Sequence, residues 1–251
     1  RRMSEQKLPI SARLRCCAEQ VPQGARVADV GADHGYLGIE LLRSGRCAFV
    51  HASDLRAQPL QRARENARRF GTLERMRFSQ ADGLAAVAPA SVDTVLCAGM
   101  GGDLIARIVE NAPWLRDPRY LLILQPQSSG NDLRRRLAEL GFAIERETLV
   151  EDGGFLYFVL CARYRAPYAL TPGQQYASPT LLASGSPLLP RYLARIEHAL
   201  RLTVAGIGQS KRPDAPQRLA YYQAALDVVD RQAHKMSALI RSMLEITRLD
   251  Q

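Results

Sequence analysis

Two carboxylates flank a glycine-spaced turn in Asp29-Val-Gly31-Ala-Asp33-His34-Gly35-Tyr36, which continues the apolar run Arg26–Val30. Glycines after a strand let a ligand approach the backbone and the N-terminus of the following helix, as dinucleotide-binding turns do for a pyrophosphate. Acid at Asp29 and Asp33 changes what such a turn can hold, because carboxylates repel phosphate and attract cations. S-Adenosylmethionine has the matching chemistry: a sulfonium, an ammonium and no phosphate. The turn therefore points to a methyl donor in preference to NAD or ATP.

Other strand-like runs end in residues of similar use. Asp54 follows the glycine turn by roughly the twenty residues at which a carboxylate meets ribose hydroxyls. Asp82-Gly83 pairs an acceptor for an adenine amine with a residue that permits close approach. Ala98-Gly99-Met100-Gly101-Gly102 offers bare backbone to a pocket wall, and Gln125-Pro126-Gln127 brings amides that donate and accept together, as reading a base edge requires. Any one of the acids could serve as a helix cap or a solvated loop residue. Their recurrence at successive strand ends is what argues for a common site.

The elements that must position these residues alternate. Strands are expected at Arg26–Val30, Ala48–Ser53, Met76–Gln80, Asp93–Ala98 and Tyr120–Gln125, and helices at Tyr36–Arg43, Leu60–Phe70, Leu104–Asn111 and Asn131–Leu140. Such alternation predicts a parallel sheet covered on both faces, with ligands at the carboxyl ends of its strands. Phe142–Val150 and Phe155–Ala162 around Glu151-Asp152-Gly153-Gly154 then read as a hairpin. The expected fold is α/β and Rossmann-like, a mostly parallel seven-stranded sheet finished by that hairpin, which is the plan of class I methyltransferases.

Residues 165–187 are rich in Pro, Gly, Ser, Ala and Tyr and are expected to form a linker that still packs, between a cofactor-binding domain over 1–164 and a helical domain over 188–251. In the latter, Leu189, Leu193, Ile196, Leu200, Thr203 and Ile207, and then Leu219, Tyr222, Leu226, Val229, Ala233, Met236, Ile240 and Met243, alternate spacings of three and four. These are heptad seams, and Pro213 and Pro216 must break the helix between them. The expectation is an α-helical coiled-coil hairpin, serving as a dimerisation arm or as a clamp for a long anion.

The net charge of +9 is spread along the chain, with 24 basic against 19 acidic residues in 1–166 and 10 against 6 in 167–251. Thirty-one of the 34 basic residues are arginine, the side chain best shaped to fork phosphate and stack on bases. Nucleic acid fits that balance as a partner. The arginine runs at Arg62 to Arg69 and Arg134 to Arg136 are read first as solvated helix faces. No apolar run approaches the roughly 20 residues a membrane span needs, and no signal-peptide core opens the chain, so a cytoplasmic protein is expected. Five cysteines without a Cys-x-x-Cys pair fit neither a metal site nor a disulfide framework. Cys97 is expected to be a buried strand residue.

Four runs resemble the bacterial tRNA (adenine(22)-N1)-methyltransferases: Ile10-Ser-Ala-Arg13-Leu14, Ala28-Asp-Val-Gly-Ala-Asp-His-Gly-Tyr-Leu37, Ala98–Gly102 and Leu124-Gln-Pro-Gln127. The resemblance extends through the hairpin Glu151–Tyr157 and into the helical tail. This chain departs from the family's usual run at Ala32, Gly35 and Gly38, and has Gln127 where Asn is frequent. The resemblance implies S-adenosylmethionine as cofactor, tRNA as substrate, N1 of an adenosine as target and a monomer or a homodimer formed through the tail. With the strand-end reading it assigns Asp29, Gly31, Asp33, His34, Gly35, Tyr36, Asp54, Leu55, Asp82, Gly83, Ala98 and Gly99 to the cofactor. Arg13, Met100, Gly101, Gln125, Pro126 and Gln127 fall to the substrate. Neutral adenine already has a lone pair at N1, so no general base is required; Asp33 is the candidate for favouring the developing base cation, with His34 shaping the pocket. A methyltransferase for another RNA position or a small molecule, and a non-catalytic RNA-binding protein that retains the fold, are the alternatives.

Overall fold

The computed structural model describes the backbone of residues 8–249 and the side chains of residues 8–242. The chain divides into two compact units, Arg1–Tyr168 and Ala169–Gln251.

The first unit is built on one seven-stranded sheet. Its strands are β1 (Ala25–Val30), β2 (Cys47–Asp54), β3 (Met76–Gln80), β4 (Thr94–Met100), β5 (Leu121–Pro126), β6 (Phe142–Asp152) and β7 (Phe155–Tyr164). They lie in the order β3-β2-β1-β4-β5-β7-β6, parallel through β5 and antiparallel at β5–β7 and β6–β7. Central parallel strands are covered on both faces, which is why β1 is buried everywhere except Arg26 and β5 throughout.

Helices α1 (Ala12–Gln20), α2 (Tyr36–Arg43) and α3 (Ala57–Arg69) contact one another in series, as do α4 (Gly102–Glu110) and α5 (Gly130–Leu140). Ile39, Leu41 and Leu42 of α2 are at most 1% exposed against Val27, Val50 and Ala52. Burying each such side chain contributes roughly 1.5–3 kcal/mol. Helix α5 stops at Gly141, whose φ of +95° a side chain would strain.

The hairpin differs from its sequence reading in one consequential way. Pairing continues past Val150 to Asp152 opposite Phe155, so the turn is the two residues Gly153-Gly154, with φ of +57° and +81°. Two positive φ values in a two-residue loop match the right-handed twist of the flanking strands. The polar Glu151-Asp152 thus belongs to β6.

The second unit begins inside the stretch expected as linker. Residues 165–187 contain α6 (Pro172–Tyr176) and α7 (Pro179–Leu182). Thr171 and Gln174 cap α6 reciprocally, Gly173 admits the Val228 side chain, and Gln175 Oε1 accepts from the Tyr221 hydroxyl at 2.5 Å. Helices α8 (Leu189–Gly208) and α9 (Ala215–Leu249) pack on each other through Leu193, Leu200, Ile207, Leu226 and Val229. Ile240, expected in the seam, is 40% exposed, because α9 at 35 residues outruns α8 at 20. Met243 lies outside the described side chains. Among the described residues no helix is long and apolar enough to cross a membrane.

Candidate active site

The acidic turn is held open by left-handed backbone. Gly31, Asp33 and Gly35 have φ of +71°, +46° and +73°. The N–H groups of Gly31 and Ala32 both donate to Ser53 O, at 2.8 and 3.3 Å, tying the turn to the end of β2. Asn66 of α3 donates to His34 O at 2.9 Å. A Cβ on Gly35 would stand 2.9 Å from Ala63 Cβ, so only glycine allows α3 to close on the turn.

Above the carboxyl ends of β1 and β4 lies a cavity of about 380 Å³. Arg13, Asp29, Gly31, Asp33, His34, Tyr36, Ala98 and Gly99 line it, together with Pro9, Leu14, Ala32 and Leu37, which the sequence reading did not single out. Asp29 is 4% exposed and its Oδ2 has no hydrogen-bond partner. Burial pushes its carboxyl up to about 7; a hydrogen bond from the Gly38 N–H works against that shift and the nearby Asp54 charge adds to it. A desolvated carboxylate with an open acceptor in a cavity wall suits a cationic ligand group.

Asp54 does not line the cavity itself but adjoins it. It is 7% exposed; Oδ2 accepts from the Asp33 N–H at 3.4 Å and Oδ1 from the Arg56 N–H at 2.9 Å, leaving acceptor capacity on both oxygens. Leu55 beside it is 65% exposed. Asp33 and His34 approach within 3.6 Å through Oδ2 and Nε2, and His34 stacks on Tyr36 with ring centroids 5.8 Å apart.

The glycine turn after β4 and the end of β5 form one network. A bulge at Gly99, φ +75°, turns its N–H toward Gln125 Oε1 at 2.9 Å, and Gln127 N–H donates to Met100 O at 2.9 Å. Gly102 lies against Ser128 O and Ser129 O, where a Cβ would clash at 2.9 and 2.5 Å. Arg13 reaches in from α1. Its guanidinium donates to Gln125 Oε1 at 3.4 Å and to the Gln127 carboxamide oxygen at 3.2 Å, pairs with Asp152 Oδ2 at 3.2 Å and sits 5.5 Å from the Tyr157 ring centroid. Met100, Gly101 and Gln127 thus form a shelf beside the cavity, while Gln125, 0% exposed with its amide spent on the Gly99 N–H and Pro126 O, and the buried Pro126 support it from beneath and have no edge free to read a base.

Asp82 and Gly83 stand apart from the cavity. They line a separate hollow of about 130 Å³ with Leu84, Ala85, Arg107, Ile108 and Asn111. Gly83 O accepts from Ser53 Oγ at 2.7 Å, which fixes the end of β3 against β2.

A methyltransferase-domain profile matches residues 10–160. The tRNA (adenine(22)-N(1))-methyltransferase of Bacillus subtilis is 32% identical over 156 residues, 62% of this chain and 66% of that protein, so the match spans just under two thirds of the curated relative. The crystal structure of Streptococcus pneumoniae Sp1610, to which tRNA (m1A22) methylation is ascribed, superposes with a TM-score of 0.77 at 32% identity, covering 90% of this chain and all of that one. This chain belongs to that methyltransferase family. A second Sp1610 structure, in complex with S-adenosyl-L-methionine, aligns with a TM-score of 0.74 at 30% identity over 88% of this chain and 98% of that one.

The arginine runs of this chain are not all surface charge. Arg134 is 1% exposed, bonded to Glu147 at 2.7 Å and stacked on Phe158 with 4.0 Å to the centroid; Arg135 pairs with Asp132 and Glu139, and Arg136 with Glu110. The reading of this run as a solvated face fails at Arg134, which the apolar face of α5 carries into the core. Arg64 and Arg68 line a cleft around Leu73, Met76 and Phe78, toward the amino end of β3 and away from the cavity mouth. All five cysteines are free and buried, and burial pushes the Cys97 thiol up, out of reach of ordinary thiolate chemistry. Among the described residues no cluster of His, Cys, Asp and Glu is placed to hold a metal ion.

Asp152 and Tyr157 are further site-side residues, to which sequence reasoning gave no role of their own. Asp152 reads as turn, and Tyr157 as an ordinary strand aromatic. Only the alternation of β7, with Phe155, Tyr157 and Val159 on one face, hints at their direction.

Proposed function

We propose that this chain is an S-adenosylmethionine-dependent enzyme that methylates N1 of an adenosine in tRNA, with adenosine 22 as the target. The observation that carries the reading is the buried Asp29 carboxylate, whose Oδ2 has no hydrogen-bond partner, in a cavity walled by glycine turns, which suits a cationic, phosphate-free cofactor. Asp29, Gly31, Asp33, His34, Tyr36, Ala98 and Gly99 hold the cofactor, and Asp54 accepts from its ribose hydroxyls. Asp82 and Gly83 close the adjoining β3 end.

The cofactor supplies a methyl group activated by a cationic sulfur. The N1 lone pair of adenine forms the new bond to that carbon as the carbon–sulfur bond breaks, its electrons going to sulfur and the positive charge to the base. No proton need move first. Residues of the chain contribute positioning and charge: Gly99 and Met100, held by the buried Gln125 beneath them, set the base in line, and the exposed Asp33 carboxylate favours the developing base cation. The adenosine must leave its stack to reach the cavity, and the +9 chain attracts the phosphates around it.

The second unit is a clamp for tRNA in this reading, with Arg191, Arg195, Lys211, Arg212, Arg231 and Lys235 exposed on α8, α9 and the connection between them. We place the enzyme in the cytoplasm, working as a monomer or as a homodimer formed through the helical tail. The test is methylation of unmodified tRNA followed by primer extension, in which a methyl on N1 blocks base pairing and stops the polymerase. A stop at adenosine 22 is expected. Cofactor binding without tRNA methylation would overturn the reading in favour of another substrate, and no cofactor binding would leave a non-catalytic RNA-binding protein.

A further inference from the structure

Phe155 is 65% exposed, the most exposed aromatic ring among the described residues. Its direction follows from pairing. Residues directly opposite in an antiparallel pair share a face, and residues two apart along a strand do as well. Phe155 is opposite Asp152 and two residues from Tyr157, so all three lie on one face of the hairpin. Arg13 identifies that face, since it pairs with Asp152 at 3.2 Å and sits over the Tyr157 ring. Arg13 also lines the cavity, which places Phe155 one side chain beyond the cavity wall.

The backbone that presents this ring is held in place. The Gly153-Gly154 turn is tight, Asp152 is anchored to α1 through Arg13, and Leu156 next to Phe155 is buried on the opposite face. An exposed ring on the hairpin face that Arg13 contacts, beside the cavity, matches the way proteins hold unstacked nucleotides, by stacking on a ring in a cationic setting.

We propose that Phe155 stacks on a nucleobase of the tRNA adjacent to the methylated adenosine, holding the strand open while the target occupies the cavity. This rests on the tRNA reading above. Phe155 is then a positioning residue, touching the substrate but not the reacting atoms, and nothing in its surroundings gives it a role in folding.

Steady-state methylation of unmodified tRNA by the full chain tests it, with Phe155→Ala, Phe155→Leu and Phe155→Trp beside the wild type. Stacking of one base on an aromatic ring sets the expected loss at about 5- to 150-fold in tRNA affinity for Phe155→Ala. KM for tRNA rises by that factor while cofactor Kd and melting temperature stay unchanged. Phe155→Trp restores the wild-type KM and Phe155→Leu does not, since leucine is apolar without a π face. A KM for Phe155→Ala within twofold of wild type, or a leucine variant as good as phenylalanine, overturns the proposal and leaves the tRNA reading standing. A wild-type enzyme that does not methylate tRNA overturns both.

Discussion

Arg13 and Asp152 stand 139 positions apart in sequence and meet at 3.2 Å, joining α1 to the tip of the β6–β7 hairpin beside the cavity. Both side chains are about four-fifths buried, and the same guanidinium also reaches Gln125 and Gln127. A guanidinium spreads five donors over three nitrogens and so bridges partners farther apart than the single nitrogen of an ammonium can.

Arg13→Ala is therefore expected to lower kcat/KM for tRNA by tenfold or more, and Arg13→Lys to recover little of it. Asp152→Asn should cost less, because the amide still accepts a hydrogen bond. The ion pair alone contributes on the order of 1 kcal/mol to stability at such partly solvated sites. A lysine variant with wild-type kinetics would show that charge alone, without the fork, suffices.

Asp33 occupies left-handed backbone, φ +46°, which aspartate tolerates and glycine prefers. Its backbone and its charge can be separated for that reason. Asp33→Gly keeps the turn and removes the carboxylate, while Asp33→Asn keeps the shape and removes only the charge. Both are expected to lower kcat by about a hundredfold, the scale of losing one electrostatic group from a transition state. Affinity for tRNA, measured by filter binding, should change by less than about twofold. Equal losses in kcat and binding would remove Asp33 from the chemistry.

Much of this arrangement was legible before any coordinates. Strands buried on both faces, such as Arg26–Val30 and Tyr120–Gln125, announce themselves as apolar runs, and glycines at Gly31, Gly35 and Gly99 mark turns that only positive φ can make. Helix α1 was not announced: Ala12–Gln20 mixes arginine, cysteine and alanine, with only Cys16, Cys17 and Ala18 buried. The pairing of Arg13 with Asp152 was equally hidden, since local pattern carries no information about which distant polar residue a side chain meets. Asp82 follows β3 at the carboxyl edge, as its place in the pattern implies, and lines a hollow separate from the cavity, a distinction that sequence spacing does not carry.

The Arg134–Glu147 pair offers a stability prediction that separates fold from function. Glu147 is 2% exposed and its partner 1%, so removing either leaves an uncompensated charge in the core. Glu147→Ala should destabilise the chain by about 3–5 kcal/mol in denaturant unfolding. Replacing the pair together, Arg134→Met with Glu147→Leu, should recover most of that loss, since the desolvation cost of both ions goes with them. If the double variant binds tRNA like the wild type, Arg134 has no part in RNA recognition.

Asp29 makes both stability and cofactor affinity depend on pH. Its carboxyl titrates at about 7 in the folded protein against 3.8 for the unperturbed group. Between those values the folded state keeps a proton that the unfolded chain has released, so stability from this group is greatest below the lower value and declines as pH rises toward 7. The decline is on the order of 4 kcal/mol for a shift of this size. Asp29→Asn should abolish it, so that the variant is progressively more stable than wild type as pH rises toward 7, by thermal unfolding without ligand. Cofactor binding should run the other way. A cationic ligand favours the ionised carboxylate, so wild-type affinity, measured by calorimetry, rises as pH increases from about 5.5 to about 7.5, with proton release on binding. The asparagine variant should bind more weakly and show a flat profile over that range. A wild-type affinity independent of pH would mean that the cofactor's positive charge is held by some other group than Asp29.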